Sequence, residues 1–442
     1  MKKFFWLFVV AFLVFSCSSM HGHRRVTITF MGWGDEIEAK LFSSLLADFE
    51  KKYPDIKVKY VVYPPSSYRE KLATVVASGE APDVFYIHDV DFGSYVTKGV
   101  LKDLDPFIEN STVIDLDDIW PQAIWRYRFD GFKRGSGPVY ALPKDLGPVV
   151  MFYNKELFDR FGVPYPDPEV PWTWDEAVAN WKKLTRDTDG DGTPDYWGVL
   201  HFPYEAAVWS NGGRIADPAK GLFVMHKSPE AIEAVRWILD LSFKYRVHPL
   251  YSHIQSYGVQ NLFETGRVAT YFTGRWMVPK YRQLSFDWDV APIPVSPKTH
   301  KKAGWSGSVG FAMYASTKHP YEAWKLIEFL AGPEGQRRLA ESGFQVPNQI
   351  SLARTDVFLQ RGRRPEHAEV FLDAAMYEKP QPPAQFPISN EWYEKVFWQE
   401  CMSRVWLGEV DPAKAIAEIA PRVQKTMDEA YRAAGIDIWR YR

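Results

Sequence analysis

Cysteine is nearly absent: Cys17 and Cys401 are the only two in 442 residues. Because Cys17 closes an apolar leader, its lipidation or removal would leave no partner for an intramolecular disulfide. Long apolar runs are missing too. After the leader no stretch of eighteen apolar residues follows, so no spanning helix is expected. Charge of one sign is concentrated nowhere. The 53 basic residues face 55 acidic ones, a net charge of -2 without a basic block, which argues against a surface that neutralises nucleic-acid phosphates. No internal repeat or low-complexity tract stands out, and the Pro-rich stretch 379–387 is of loop length. Recognisable catalytic motifs are missing as well: there is no nucleophile elbow, no His-Glu-x-x-His and no Gly-rich phosphate loop.

With 46% hydrophobic and 24% charged residues, the composition is that of a globular protein of two or three domains. Residues 1–16 read as an export signal. Lys2 and Lys3 make its positive end and Phe4 to Phe15 its apolar stretch, too short to span a bilayer. An exported protein, outside the cytoplasm, is expected. Val14-Phe15-Ser16-Cys17 resembles a lipobox, the signal for lipid attachment to Cys, with Phe15 departing from the usual small residue. Aromatic residues reach 16%, including 18 Trp. Most should be core, since large rings carry much of the apolar area a core buries.

Strands and helices alternate along the chain. Val26, Ile28 and Phe30 alternate as a strand, then Ile37, Leu41, Leu45 and Phe49 recur every four residues until Pro54. Ile56, Val58, Tyr60 and Val62 make the next strand, Tyr68 and Leu72 mark a second helix, and residues 84–87 form an apolar third strand. This βαβ series predicts an α/β fold with a mostly parallel sheet between helices. Further on, Thr173 and Glu176 form a capping box, with Trp172 and Ala177 as a hydrophobic staple.

Several short motifs occur in a set order: Gly34-Asp35; Ala81-Pro82-Asp83-Val84; His88-Asp89; Tyr140-Ala141-Leu142-Pro143; Pro171-Trp172-Thr173-Trp174; Asn211-Gly212-Gly213; Gly274-Arg275-Trp276; Ala291-Pro292-Ile293-Pro294; Gly332-Pro333-Glu334-Gly335. In that order they resemble the family 1 extracellular solute-binding proteins of sugar ABC importers, the group that includes maltose-binding protein. The resemblance implies two α/β lobes joined by hinge crossings, a ligand in the cleft, no catalysis, and an ABC permease as partner. A monomer is expected. By analogy the crossings fall near Leu142-Pro143, Pro292-Pro294 and Ala331-Pro333, giving one lobe of residues 24–142 with 293–331 and another of 143–292 with 332–442.

The resemblance also implies site residues. Asp35 and Asp89 match sugar-bonding carboxylates, Glu36 stands where the family has Lys, and Trp276 matches a stacking Trp. Trp33 and Trp392 are further aromatic candidates, as are Tyr204 and Trp209, with Asn211 beside the double Gly. Lys144, Asp145 and Trp305 join them if the hinges lie as placed. Such residue types suit sugars, whose apolar faces stack on rings and whose hydroxyls pair with carboxylates and amides. Separately, Asp187, Asp189, Asp191, Thr193 and Asp195 have EF-hand spacing, and Gly192 stands at the turn position. Position twelve is Gly198 instead of the closing Glu, so a structural Ca²⁺ competes with a plain Asp-Gly turn. Two other functions fit less well. A glycerol-phosphate-like anion would need Lys144, Arg214 and Arg275 to converge, and an exported glycoside hydrolase would need a carboxylate pair at a set separation.

Overall fold

The computed structural model describes residues 25–251, 254 and 258–442; the expected signal peptide and Cys17 lie outside the described residues. Among these, no helix is long and apolar enough to cross a membrane.

The first lobe is built as the alternation predicts. β1 (Val26–Trp33), α1 (Glu36–Lys52), β2 (Ile56–Tyr63), α2 (Pro65–Ala77), β3 (Val84–His88) and α3 (Asp89–Val96) follow one another. β1 pairs in parallel with β2 and β3. Val309–Met313 joins β3 antiparallel and Ala141–Pro143 joins Val309–Met313 antiparallel, completing a five-stranded sheet in which only Val309–Met313 runs against the others. In α1 the buried residues are Glu38, Phe42, Leu45, Leu46 and Phe49. The strict four-residue repeat read from the sequence drifts around a helix of 3.6 residues per turn, so Ile37 and Leu41 end at the margin and Phe42 takes the core position. Asp83 is a brace: its carboxylate accepts the Thr29 N–H at 2.8 Å and the Thr317 hydroxyl, tying β1 to the chain beyond Met313.

The second lobe is arranged around the strand Asp145–Asn154, buried at nearly every position. It belongs to a seven-stranded sheet in which Gly304–Gly307, Val268–Gly274, Trp288–Ala291 and Val346–Pro347 all pair antiparallel to it. The helix Trp174–Leu184 opens with the expected capping box, Thr173 N–H donating to Glu176 at 2.7 Å and Glu176 N–H to the Thr173 hydroxyl at 3.3 Å.

The chain passes from the first sheet to the second at Lys144 and returns at Ser308. These two crossings run side by side: Lys144 N–H donates to the Val309 carbonyl at 2.7 Å, Val309 N–H to the Asp145 carboxylate at 3.1 Å, and the Ser308 hydroxyl to the Asp145 carbonyl at 2.9 Å. The return therefore lies beyond Pro292–Pro294, because Gly304–Gly307 is a strand of the second sheet. The last crossing also falls later than expected. The helix Pro333–Glu341 still meets α1, through Arg338 and Asp48 at 2.9 Å, before Val346–Pro347 joins the second sheet.

Candidate functional site

Where the lobes meet, the carboxyl ends of β1 and β3 and the edge of the strand Asp145–Asn154 bring together several of the expected residues. On the first lobe Trp33 ends β1. Its ring is partly buried, edge-on to Tyr68 and Tyr86 with centroids 4.9 and 5.1 Å away, and parallel to the His88 ring at 6.0 Å. Asp35 caps α1, accepting the Glu38 N–H at 2.9 Å while its residue stays exposed. Glu36 lies on the outer face of α1 and pairs with Lys40 at 2.6 Å.

On the second lobe Trp276 is exposed, 36% accessible. It lies on a bed of glycine: a Cβ on Gly274 would come within 1.9 Å of the indole and one on Gly147 within 3.1 Å. Only residues without a side chain let a flat ring sit down on backbone in this way. Gly147 pairs with Gly307, so the two share a sheet face, and Trp305, two residues before Gly307, points the same way. Trp305 in turn pairs with Lys379, whose amine stands 5.5 Å from the centre of the Trp209 ring. Trp276 and Trp305 thus stand over one face of the sheet, with Lys379 beside Trp305 and over the ring of Trp209, which is itself buried at 8% accessibility. Lys379 carries no motif, and only its register opposite Trp305 reveals it.

Other expected residues are turned inward. Asp89 is fully buried, ion-paired to the equally buried Arg126 and 2.9 Å from His88. Burial would raise its pKa, but Arg126 and His88 more than offset this and hold it at about 2. Arg126 also donates to Ser306 and pairs with Glu378 at 2.7 Å, which makes Asp89 part of a buried ionic tie between lobes instead of a sugar ligand. Lys144 is buried as well, 3.0 Å from Glu38 and 3.5 Å from Asp145. Its charge serves the hinge. Asn211 spends its amide on the Glu230 carbonyl and Glu233, and its oxygen on the Ser296 hydroxyl at 2.7 Å. Trp392 has no exposure and packs edge-on against Phe386 and Phe223. Tyr204 is buried, its hydroxyl bonded to that of Tyr393, which also donates to Glu205 at 3.0 Å. Sequence matching finds the segment in each of these cases but cannot see the distant partner that claims the side chain.

The three cations that an anionic ligand would need stay apart in role. Lys144 is ion-paired, Arg275 is buried over the Phe358 ring at 4.0 Å, and Arg214 is exposed and paired with Asp217 at 3.1 Å.

Two groups of residues could hold a cation. Asp187, Asp189 and Asp195 bring carboxylate oxygens within 4.8 Å of one another, a hard-oxygen set suited to Ca²⁺. Asp191 is outside that group and accepts the Thr193 N–H at 2.7 Å. Position twelve supplies nothing, since Gly198 is a strand residue pressed against Trp181. Asp289, Glu366 and His367 also converge, but Lys155 already stands 2.9 Å from Glu366 and His367 2.5 Å from Asp289.

A model of the bacterial extracellular solute-binding proteins matches residues 33–337. The galactooligosaccharide-binding protein of Bacillus subtilis is 24% identical over 396 residues, 88% of this chain and 87% of that protein. Among solved structures, an ABC substrate-binding protein of Listeria monocytogenes in complex with cycloalternan superposes with a TM-score of 0.81 at 25% identity, covering 91% of this chain and 99% of the other. The protein UgpB of Mycobacterium tuberculosis in complex with glycerophosphocholine has a TM-score of 0.76 at 19% identity, covering 91% and 99%, a likeness of fold alone.

Proposed function

Since the chain belongs to the bacterial extracellular solute-binding proteins, we propose that it is the extracytoplasmic receptor of an ABC importer, closing on an oligosaccharide and catalysing nothing. The observation that carries the carbohydrate reading is Trp276, an exposed indole laid on Gly147 and Gly274 beside the hinge strands. A flat ring whose outer face is free suits the apolar face of a sugar. Trp305, on the same sheet face, offers a second plane, and successive planes suit successive linked rings. Relatives agree in kind: the B. subtilis protein is named for galactooligosaccharides and the Listeria one was solved with cycloalternan. Closure follows if the ligand contacts both lobes, Trp33 and Asp35 from one side and Trp276 from the other, since those contacts exist together only in the closed form.

Export, a lipid on Cys17 and a permease partner are parts of the same proposal, as is a structural Ca²⁺ held by Asp187, Asp189 and Asp195. A glycerol-phosphate-like ligand is disfavoured by the separate commitments of Lys144, Arg214 and Arg275. The test is a thermal-shift panel on the mature protein. A ligand at 100 times its Kd adds about 2.7 kcal/mol of stability, so an oligosaccharide of the right kind raises the melting temperature and comes back uncleaved. A panel in which only a glycerol phosphodiester stabilises, or in which sugar is hydrolysed in proportion to pure protein, rejects the reading.

A further inference from the structure

Beside Trp305, on the far side of its strand neighbour Lys379, lies a cavity of about 210 Å³ bounded by Trp209, Arg214, Lys379, Pro382 and Gln385. The wall is unusual in its charge. Lys379 makes no ion pair among the described residues, and its amine faces the Trp209 ring at 5.5 Å. Burial, and then the neighbouring Lys301, lowers its pKa, which is the condition of a cation held without an anion. Lys301 makes no ion pair among the described residues either. No carboxylate is among the residues that line the cavity, and Arg214 on its wall is paired with Asp217 at 3.1 Å. Gln385 uses its amide N–H₂ on the Pro380 carbonyl at 2.9 Å, leaving its oxygen as an acceptor for a hydroxyl.

We propose that this cavity takes an acidic sugar unit, a uronate, at one end of the bound oligosaccharide; the inference rests on the oligosaccharide reading above. Trp209 supplies an apolar floor for the ring, Gln385 a hydroxyl partner, and Lys379 the counter-charge for the carboxylate, with Lys301 adding to the field. The count of charge favours a monoanion. Asp217 already pairs with Arg214, and Lys379 is the one cation on the cavity wall without an ion pair among the described residues, so a phosphate ester carrying about -1.5 to -2 would be only partly neutralised there. A uronate's single negative charge matches Lys379. Continuity favours a terminal unit: Lys379 is the strand neighbour of Trp305, so a chain laid over Trp276 and Trp305 reaches the cavity at its end.

The experiment is a titration calorimetry series on the mature protein with matched pairs: neutral maltotetraose, cellotetraose and galactotetraose, and each with its terminal primary hydroxyl oxidised to the carboxylate. For whichever chain binds, the uronate form is expected about fivefold tighter at low salt, the size of one partly exposed charge pair. That advantage shrinks as salt rises, and Lys379→Gln removes the difference between the pair. A neutral chain that binds as tightly as its uronate, or a preference that survives Lys379→Gln, overturns the acidic subsite while leaving the oligosaccharide receptor standing. Binding of glycerol 3-phosphate in preference to every sugar would overturn both.

Discussion

A tryptophan half out in water can be there to bind or merely be left over from packing, and the two differ in what removal does. Trp276 rests on glycine backbone and fills no hole in the core. Trp276→Ala is therefore expected to leave the ligand-free melting temperature within a degree or two, while weakening the preferred oligosaccharide by on the order of thirtyfold, about 2 kcal/mol. Trp392 is the contrast. It is fully buried among Phe223, Phe386 and Tyr393, so Trp392→Ala should cost about 3–5 kcal/mol of stability and lower the unliganded melting temperature by many degrees. Should calorimetry find the two mutants alike, the division of roles between them is wrong. A third residue links the site's surroundings to pH. Glu205 is buried and makes no ion pair among the described residues, and burial pushes its carboxyl up to about 7. A raised folded-state pKa means its contribution is fully present below the unfolded value near 4.5 and is lost as pH rises through about 7, a matter of about 3 kcal/mol. Glu205→Gln, which can still accept from the Tyr393 hydroxyl, should flatten the fall in melting temperature between pH 5 and pH 8; an equally steep fall in the variant would mean that Glu205 is not its source.

At the level of elements, what the sequence shows is local. The βαβ order of the first lobe and the Thr173–Glu176 capping box depend on neighbours a few residues apart, and both stand as read. The return crossing at Ser308 depends on Gly304-Trp305-Ser306-Gly307, a segment whose two glycines disfavour a strand. It becomes a strand because Gly147 and Glu378, far off in sequence, pair with it. Asp89 was likewise legible as a motif but not as a role, since Arg126, 37 residues on, claims its carboxylate. The acidic loop is the intermediate case. Its spacing is visible in sequence, while the convergence of Asp187, Asp189 and Asp195 without Asp191 is set by how the loop folds, with backbone N–H groups donating to all four carboxylates. If Ca²⁺ is held there, chelation lowers the melting temperature, and Asp189→Ala abolishes the difference between chelated and calcium-loaded samples. An unchanged melt together with no bound metal by elemental analysis would reduce the loop to an Asp-Gly turn.

Considered as a whole, the molecule has lobes joined by more than covalent crossings. Arg126 binds Asp89 of the first lobe and Glu378 and Ser306 of the second, all buried, so its removal would strand charges and should unfold more than it opens. Gly93 of α3 lies so close to the Pro387–Ile388 backbone that a Cβ would approach within 2.8 Å. Arg69 differs, because it is partly exposed: it pairs with Asp91 on its own lobe and reaches Glu394 of the second at 2.8 Å. The adjoining carboxylates hold its guanidinium charged although burial opposes this. A solvent-reached pair of this kind is worth about 1 kcal/mol or less, too little to fix the fold. It is enough to shift an equilibrium between closed and open forms several-fold, because the pair to Glu394 exists only while the lobes are together. Glu394→Gln should therefore leave the melting temperature nearly unchanged, increase the radius of gyration of the unliganded protein in small-angle scattering, and weaken sugar binding by no more than about tenfold. High salt should have the same effect on the wild type and little on the variant. If the scattering curves of wild type and variant superpose with and without sugar, the Arg69–Glu394 pair takes no part in closure, and the buried tie at Arg126 alone sets how the lobes stand.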